Sequence, residues 1–546
     1  SNRNLTAILG RLNPLIEGIC NVSGIPGLSL GVLHHGEVAH FANFGHRDAV
    51  EQIPPDKDTI YVVASLSKAF SSAITGTLVD QGALSWDTPV RELLPGYQRD
   101  EKDSALNATV ADILSHRTGI PGPDGYWMLS NGKVAFPRSD FVKVFNSFPT
   151  VRPVRTAFIY NNYAYELMGQ IIERISGMSY GTFLRQKIME PLGMSRTFDT
   201  RIPSIVANIA KPYAALQNRS AYELDMPLVR PDGLFSAAGG VRTSVSDLLI
   251  FYRALMDASA SQLPKHGISL WQSHDTQRIP NNPLKQLAAI WNAMISLPFP
   301  SLREHSYALG WTRAQLPSTF GLDGPQPWKP IVGTKPPCRL ALYHQGIIQG
   351  YTSFTVLIPE TQSVVVALAN SGGLNEAGML VASAVLDTMF GTEIDTQAYL
   401  QLAEKGYKAA ASRQGKVMKE LEDGRKVHVP TRPMRDYVGR YCSALGNFVI
   451  EVREDKGGGT VSFMGEEADT FRLVAYDADA FFWYLDHDGC VTRGRLPEYP
   501  AEYYIIRFVF EDGDTTLRDP LLYWEYDEER HSAEPFKRVH NTFTDL

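Results

Sequence analysis

Cysteine is nearly missing from this chain. Four residues in 546, Cys20, Cys338, Cys442 and Cys490, lie far apart in the sequence. That spacing builds neither a disulfide framework nor a zinc pattern, so reduced, buried thiols are expected. A basic excess is also lacking: the net charge is −7 and the pI about 6.0, which speaks against nucleic acid or an acidic membrane surface as partner. No apolar run reaches the roughly 20 residues that span a bilayer, and the longest, Val364 to Ala369, has strand length. The opening SNRNLTAILGRLNPL lacks the charged-then-apolar order of a signal peptide, so a cytoplasmic location is expected. Internal repeats and low-complexity tracts are absent from the sequence, and no His or Cys spacing gives three convergent metal ligands. No cofactor is implied.

What is present is a soluble globular composition, 44% hydrophobic and 20% charged. A chain of 546 residues exceeds one ordinary core, which predicts two or three domains. The most informative stretch is VVASLSKAFSSAITGTLVDQG. Phe70, Ile74 and Leu78 recur every four residues as one buried stripe of a helix, closed by Gly82. Ser65 at the start of that helix shares a face with Lys68. A serine hydroxyl needs a neighbouring base, and a desolvated lysine is one.

Serine and lysine are common, and a second match, Ser130-Asn131-Gly132-Lys133, sits among Gly and Asn and reads as a loop. A third serine motif, Gly27-Leu28-Ser29-Leu30-Gly31, has the form of a nucleophile elbow without the strand before and helix after that an elbow requires. Its context is instead a hairpin about His35-Gly36. Downstream, His116 in ILSHRTGIPG reads as a loop-ordering histidine. Tyr160-Asn161-Asn162 precedes a helix whose stripe is Ala164, Leu167, Met168, Ile171 and Ile172, with Gly177 as cap. Ser244 with Asp247 three residues on reads as a helix N-cap. Residues 259–335 read as insertions and short helices around a cleft, with Trp271, Trp291, Trp311 and Trp328 as packing or pocket residues. His344-Gln345-Gly346 opens a pair of strands with cores at Phe354 to Ile358 and Val364 to Ala369. After a charged stretch, short aromatic and β-branched runs from DYVGRY onward predict an antiparallel β domain.

Taken in order, Ser65-x-x-Lys68, Tyr160-x-Asn162 and His344-x-Gly346 resemble the serine β-lactamase and penicillin-binding-protein superfamily, on the branch of class C β-lactamases, D-aminopeptidases and related esterases. ILSHRTGIPG, SAAGGVRTSVSDL and HQGIIQGYTSF resemble its companion motifs, and the likeness runs from about Gly24 to Gly373. The resemblance implies an α+β fold, an antiparallel sheet flanked by helices plus an all-helical lobe. The C-terminal part resembles a lipocalin-like barrel. The expected division is 1–400 catalytic domain, 401–433 partly helical linker and 434–546 barrel.

The resemblance also implies roles. Ser65 would be acylated, with Lys68 and Tyr160 transferring protons. Asn162, His344, Gly346 and Ile347 would bind substrate, and the backbone N–H groups of Ser65 and Ile347 would hold the oxyanion. Gln345 and His344 stand where β-lactam-processing relatives usually carry Ser or Thr and often Lys, which shifts the expected substrate toward esters, amides or thioesters. The function implied is a serine hydrolase acting on a small-molecule acyl substrate, with a monomer expected. An acyltransferase uses the same residues, and a non-catalytic binding protein on this scaffold is the third reading.

Overall fold

The computed structural model describes residues 2–227, 232–263, 279–426, 428–429, 432–510, 519–530 and 533–540. Its main sheet begins with Gly27–His34 (β1) and Glu37–Gly45 (β2), which reverse at His35-Gly36. Both turn residues have positive φ, 54° and 72°, the conformation that matches a tight turn to the twist of its strands. Six further strands complete the sheet: Ile295–Ser296 (β3), His305–Tyr307 (β4), Thr312–Gln315 (β5), Leu340–Ile348 (β6), Tyr351–Ile358 (β7) and Ser363–Ala369 (β8). The order is β2-β1-β8-β7-β6-β5-β4-β3, antiparallel throughout. Central β8 is buried at every residue. Val364, Val366 and Leu368 enter one core while Val365 and Ala369 enter the other, as the period of two requires.

Six longer helices matter for the site: Asn13–Ser23 (α1), Ser67–Asp80 (α2), Asn162–Ser176 (α3), Val245–Gln262 (α4), Ala377–Met389 (α5) and Thr396–Asp423 (α6). α1 and α5 cover one face of the sheet, and α4 covers the other, packing on β1 and β8. α4 starts at Ser244, whose hydroxyl accepts from the Asp247 N–H at 3.2 Å. α2 and α3 belong to a helical lobe beside the sheet and pack together.

Strands β3 to β5 correct the reading of residues 259–335 as insertions and short helices. At two to four residues each they are too short to show a period, and the edge of the sheet forms them by pairing. Trp291 and Trp311 are buried in the core and meet edge to face. Trp271 lies outside the described residues.

Most of the charged connecting stretch is helix α6. Its Tyr399 and Ala403 join the α1 and α5 core, and its Val417 and Leu421 join the core shared with the barrel. The barrel is closed and up-and-down: Gly439–Cys442 (β9), Val449–Asp455 (β10), Gly458–Phe463 (β11), Thr470–Asp477 (β12), Ala480–Trp483 (β13), Ile505–Val509 (β14), Leu521–Trp524 (β15) and Glu534–Val539 (β16). Each strand bonds to the next and β16 bonds back to β9. Aromatic rings meet inside it, Phe471 on Trp483 at 4.4 Å and Phe463 on Trp524 at 4.7 Å between centroids. That interior is a packed core.

Candidate active site

Ser65 sits in a single 3-10 turn, Ala64–Leu66, that leads directly into α2. Ala64 has φ of 47°, a left-handed conformation that a residue with a β-carbon rarely adopts and that is often held where function needs it. One turn on, Lys68 is 0% exposed. Its Nζ lies 2.9 Å from Ser65 Oγ, 2.7 Å from Asn162 Oδ1 and 2.8 Å from the Ala238 carbonyl oxygen. The Tyr160 hydroxyl donates to Ser65 Oγ at 2.8 Å. A hydroxyl, an amine and a phenol from two distant segments therefore meet within direct hydrogen-bond reach.

The surroundings hold this arrangement. Asn161 caps α3 by accepting from the Ala164 N–H at 2.9 Å, and this sets Tyr160 and Asn162 on either side of the helix start. His116 orders the same turn, as expected: its Nδ1 accepts from the Asn161 N–H at 3.0 Å, with its ring 4.3 Å from that of Tyr160. Asn162 Nδ2 donates to Asp124 Oδ2 at 2.7 Å, and Trp127 Nε1 donates to the other oxygen at 2.9 Å. Because a carboxylate only accepts, Asp124 fixes which end of the Asn162 amide faces Lys68.

Burial sets the protonation states. It pushes the Lys68 amine down to about 7, opposed by the nearby Asp124 carboxylate. Burial pushes the Tyr160 phenol well above its usual range despite the Ser65 hydrogen bond, so Tyr160 holds its proton at neutral pH. Near pH 7 the neutral lysine is abundant. Its two N–H groups match the two acceptors Asn162 Oδ1 and Ala238 O, which leaves one lone pair for the Ser65 hydroxyl.

Strand β6 closes the site from the sheet side. A β-carbon on Gly346 would lie 2.3 Å from the Val63 carbonyl oxygen and 3.1 Å from the Ser65 nitrogen. Glycine is required there for the strand to approach the Ser65 turn. Ser353 of β7 ties the same carbonyl, donating to Val63 O at 2.8 Å. Ile347 follows on the pocket wall. His344 is placed differently from its expected substrate contact: it is 2% exposed, Nε2 pairs with Tyr307 Oη at 2.9 Å, and Nδ1 faces the Gln345 carbonyl oxygen at 2.6 Å. Burial, and then the charge of Lys68, push it down to about 3. It is a neutral, buried residue on the Gly346 face of the strand, its ring 6.4 Å from that of Tyr160.

Two contributors were not found in the sequence. Asp124 sits in a Pro-Gly loop with no periodic pattern to single it out. The other comes from the barrel: between β13 and β14 the chain leaves the barrel wall, and Arg495, Leu496, Glu498 and Tyr499 line the pocket of about 50 Å³ that holds Ser65 and Asn162. The second Ser-x-x-Lys motif explains how this segment is held. Ser130 N–H and Oγ bond to Asp469 of the barrel at 3.1 and 2.7 Å, and Lys133 pairs with Glu466 at 2.5 Å. Asp469 also pairs with Arg495, which donates to the Tyr503 hydroxyl at 2.7 Å. Ser29 lies in mid-strand on β1, fully buried, its hydroxyl bonded to that of Tyr61 at 2.9 Å. Neither decoy serine adjoins Lys68.

Residues 14–389 match the family model described as Beta-lactamase. The chain belongs to the Beta-lactamase family. With that membership comes the coarse function, a serine hydrolase of the β-lactamase and penicillin-binding-protein type. The chain is 28% identical over 441 residues to "Unguisins hydrolase ungD" of Aspergillus violaceofuscus, covering 76% of this chain and 72% of that protein. In fold it is similar to the octameric penicillin-binding protein homologue from Pyrococcus abyssi, with a TM-score of 0.56 at 19% identity over 97% of this chain and 99% of that one. The class C β-lactamase from Rhodobacter sphaeroides gives a TM-score of 0.54 at 23% identity, over 70% of this chain and 99% of that one. The archaeal likeness spans barrel and catalytic fold together, whereas the class C likeness spans 70% of this chain.

Proposed function

We propose that this Beta-lactamase family member hydrolyses an amide or ester through an acyl-Ser65 intermediate. The observation that carries the reading is the environment of Lys68 Nζ, where two acceptors and one serine hydroxyl surround a buried amine. Ser65 Oγ attacks the carbonyl carbon as its proton passes to Lys68. The C–O bond forms and the carbonyl π pair moves onto oxygen, toward the N–H groups of Ser65 and Ile347. Each such donor is worth roughly 3–4 kcal/mol in the transition state. Collapse expels the leaving atom, which takes the Tyr160 proton, and the Lys68 proton returns to Tyr160. Water then repeats the sequence at the acyl carbon, and Ser65 departs with a proton.

Neutral His344 supports a substrate without a free carboxylate at β6, because His344 supplies no cation there and the charge of Arg495 on the same pocket wall is already paired with Asp469. Similarity to a protein named as a hydrolase supports water as acceptor over a second alcohol. A fluorophosphonate should add one phosphonyl group to the intact protein, by mass. Ser65→Ala should abolish the adduct and Ser29→Ala should keep it. An adduct that survives in the Ser65 variant refutes the assignment.

A further inference from the structure

The small pocket that holds Ser65 and a larger cleft beyond Tyr160 share Asp124, Glu498 and Tyr499, and the rest of their walls differ in chemistry. Beside Ile347 and Asn162 the small pocket is lined by Met128, Leu129, Phe235 and Leu496, with the charged Arg495 on its wall and the shared Asp124 and Glu498 at its border with the cleft. Beyond Tyr160 opens a cleft of about 420 Å³ whose wall carries Asp124, Glu498, Glu525, Asp527, Glu528 and Glu529. Facing these six carboxylates among the described lining residues is a single cation, Arg413, whose guanidinium donates to the Glu498 backbone carbonyl. Two further features mark this wall. Asp527 is 8% exposed, and while its Oδ1 accepts from the Glu529 N–H at 3.0 Å, its Oδ2 has no protein partner. Tyr160, Tyr499, Tyr503 and Tyr526 line the same cleft, with the Tyr499 and Tyr503 rings stacked at 4.0 Å. Carboxylates together with phenol rings are the two wall chemistries that attract an alkylammonium group.

We infer that this cleft receives the leaving group and selects one that carries a cation, an ammonium on the amine or alcohol expelled. The inference rests on the acyl-Ser65 reading. Tyr160 protonates the leaving atom, so whatever extends from that atom lies on the Tyr160 side, where the carboxylates are. The acyl group occupies the pocket on the other side, which is small and limits it to a short chain.

The test compares butyrylcholine with 3,3-dimethylbutyl butyrate, esters of the same acyl group and shape that differ in one charge. For the 546-residue chain at low salt, kcat/KM should favour the cation about tenfold. The preference should shrink toward parity as salt screens the cleft mouth. In Glu498→Gln/Asp527→Asn/Glu528→Gln the ratio of the two values should fall to about one. Should that variant fail to fold, the exposed single change Glu528→Gln should lower both the ratio and its salt dependence. Equal values in the native protein, turnover of neither ester, or a preference that persists in the variants overturns the proposal. Fluorophosphonate labelling of Ser65 is scored separately. Labelling with no charge preference removes this inference alone, and absence of labelling removes the acyl-Ser65 reading as well.

Discussion

Lys68 is the residue on which the chemistry turns. An ordinary lysine is an ammonium at neutral pH and has no lone pair to offer, whereas burial brings this one down to about 7. Only the neutral amine accepts the Ser65 proton. The rate of acylation should therefore rise about tenfold per pH unit below 7 and level off above it, which kcat/KM across pH 5–9 checks. Lys68→Arg, which cannot lose its proton, should remove roughly 10²–10⁴ of the rate. The same lowered value has a cost in stability. Unfolding takes up a proton between about pH 7 and the ordinary lysine value of 10.5, so the contribution of Lys68 to stability rises with pH through that window. Ser65 and Lys68 were legible in the sequence because their spacing is local and the helix that follows has a clear stripe, whereas Tyr160 and Asn162, over 90 positions away, were singled out by the resemblance of the three motifs taken in order. Asp124 was not, because its role comes from the Asn162 amide, 38 positions away, to which it bonds.

At the scale of elements, the segment between β13 and β14 is the least expected. It belongs by sequence to the barrel and by position to the catalytic pocket. Its anchor is the Asp469 carboxylate, which takes bonds from Ser130 and from Arg495 and is 1% exposed. Asp469→Asn leaves the buried Arg495 without its counter-charge, a change that costs about 3–5 kcal/mol for a buried pair. Thermal unfolding should move down accordingly. The loosened wall should also raise kcat/KM for a hexanoyl ester relative to the acetyl ester, a ratio that general destabilisation leaves alone. Unchanged selectivity in the soluble variant would show that the segment does not bound the acyl pocket. Nothing in Ser130-Asn131-Gly132-Lys133 distinguishes a docking loop from any other polar turn, since its partners are over 330 positions away. Strands β3 to β5 were missed for a related reason: two to four residues pair with a preformed edge without a pattern of their own.

For the whole molecule, the barrel and the catalytic fold are joined by more than a connecting helix. Tyr126 of the helical lobe stacks on Phe448 of the barrel at 4.6 Å and meets Tyr526 at 4.6 Å, and one continuous core runs through both parts. Units that share a core unfold together, so calorimetry should give a single transition whose calorimetric and van't Hoff enthalpies agree. Two resolved peaks would mean that the shared contacts add little coupling. The sequence by itself determined the helix that carries Ser65 and Lys68, because hydrophobic period acts over a few turns of chain, while the class of fold and the place of Tyr160 were implied by its resemblance to a known family. It also determined the aromatic β character of the C-terminal part. What only the tertiary structure decided is which groups surround those residues: the neutrality of His344, the hold of Asp124 on Asn162, and the barrel's entry into the cleft. Each of these depends on burial and on contacts between remote segments, and such contacts exist only once the chain has closed on itself.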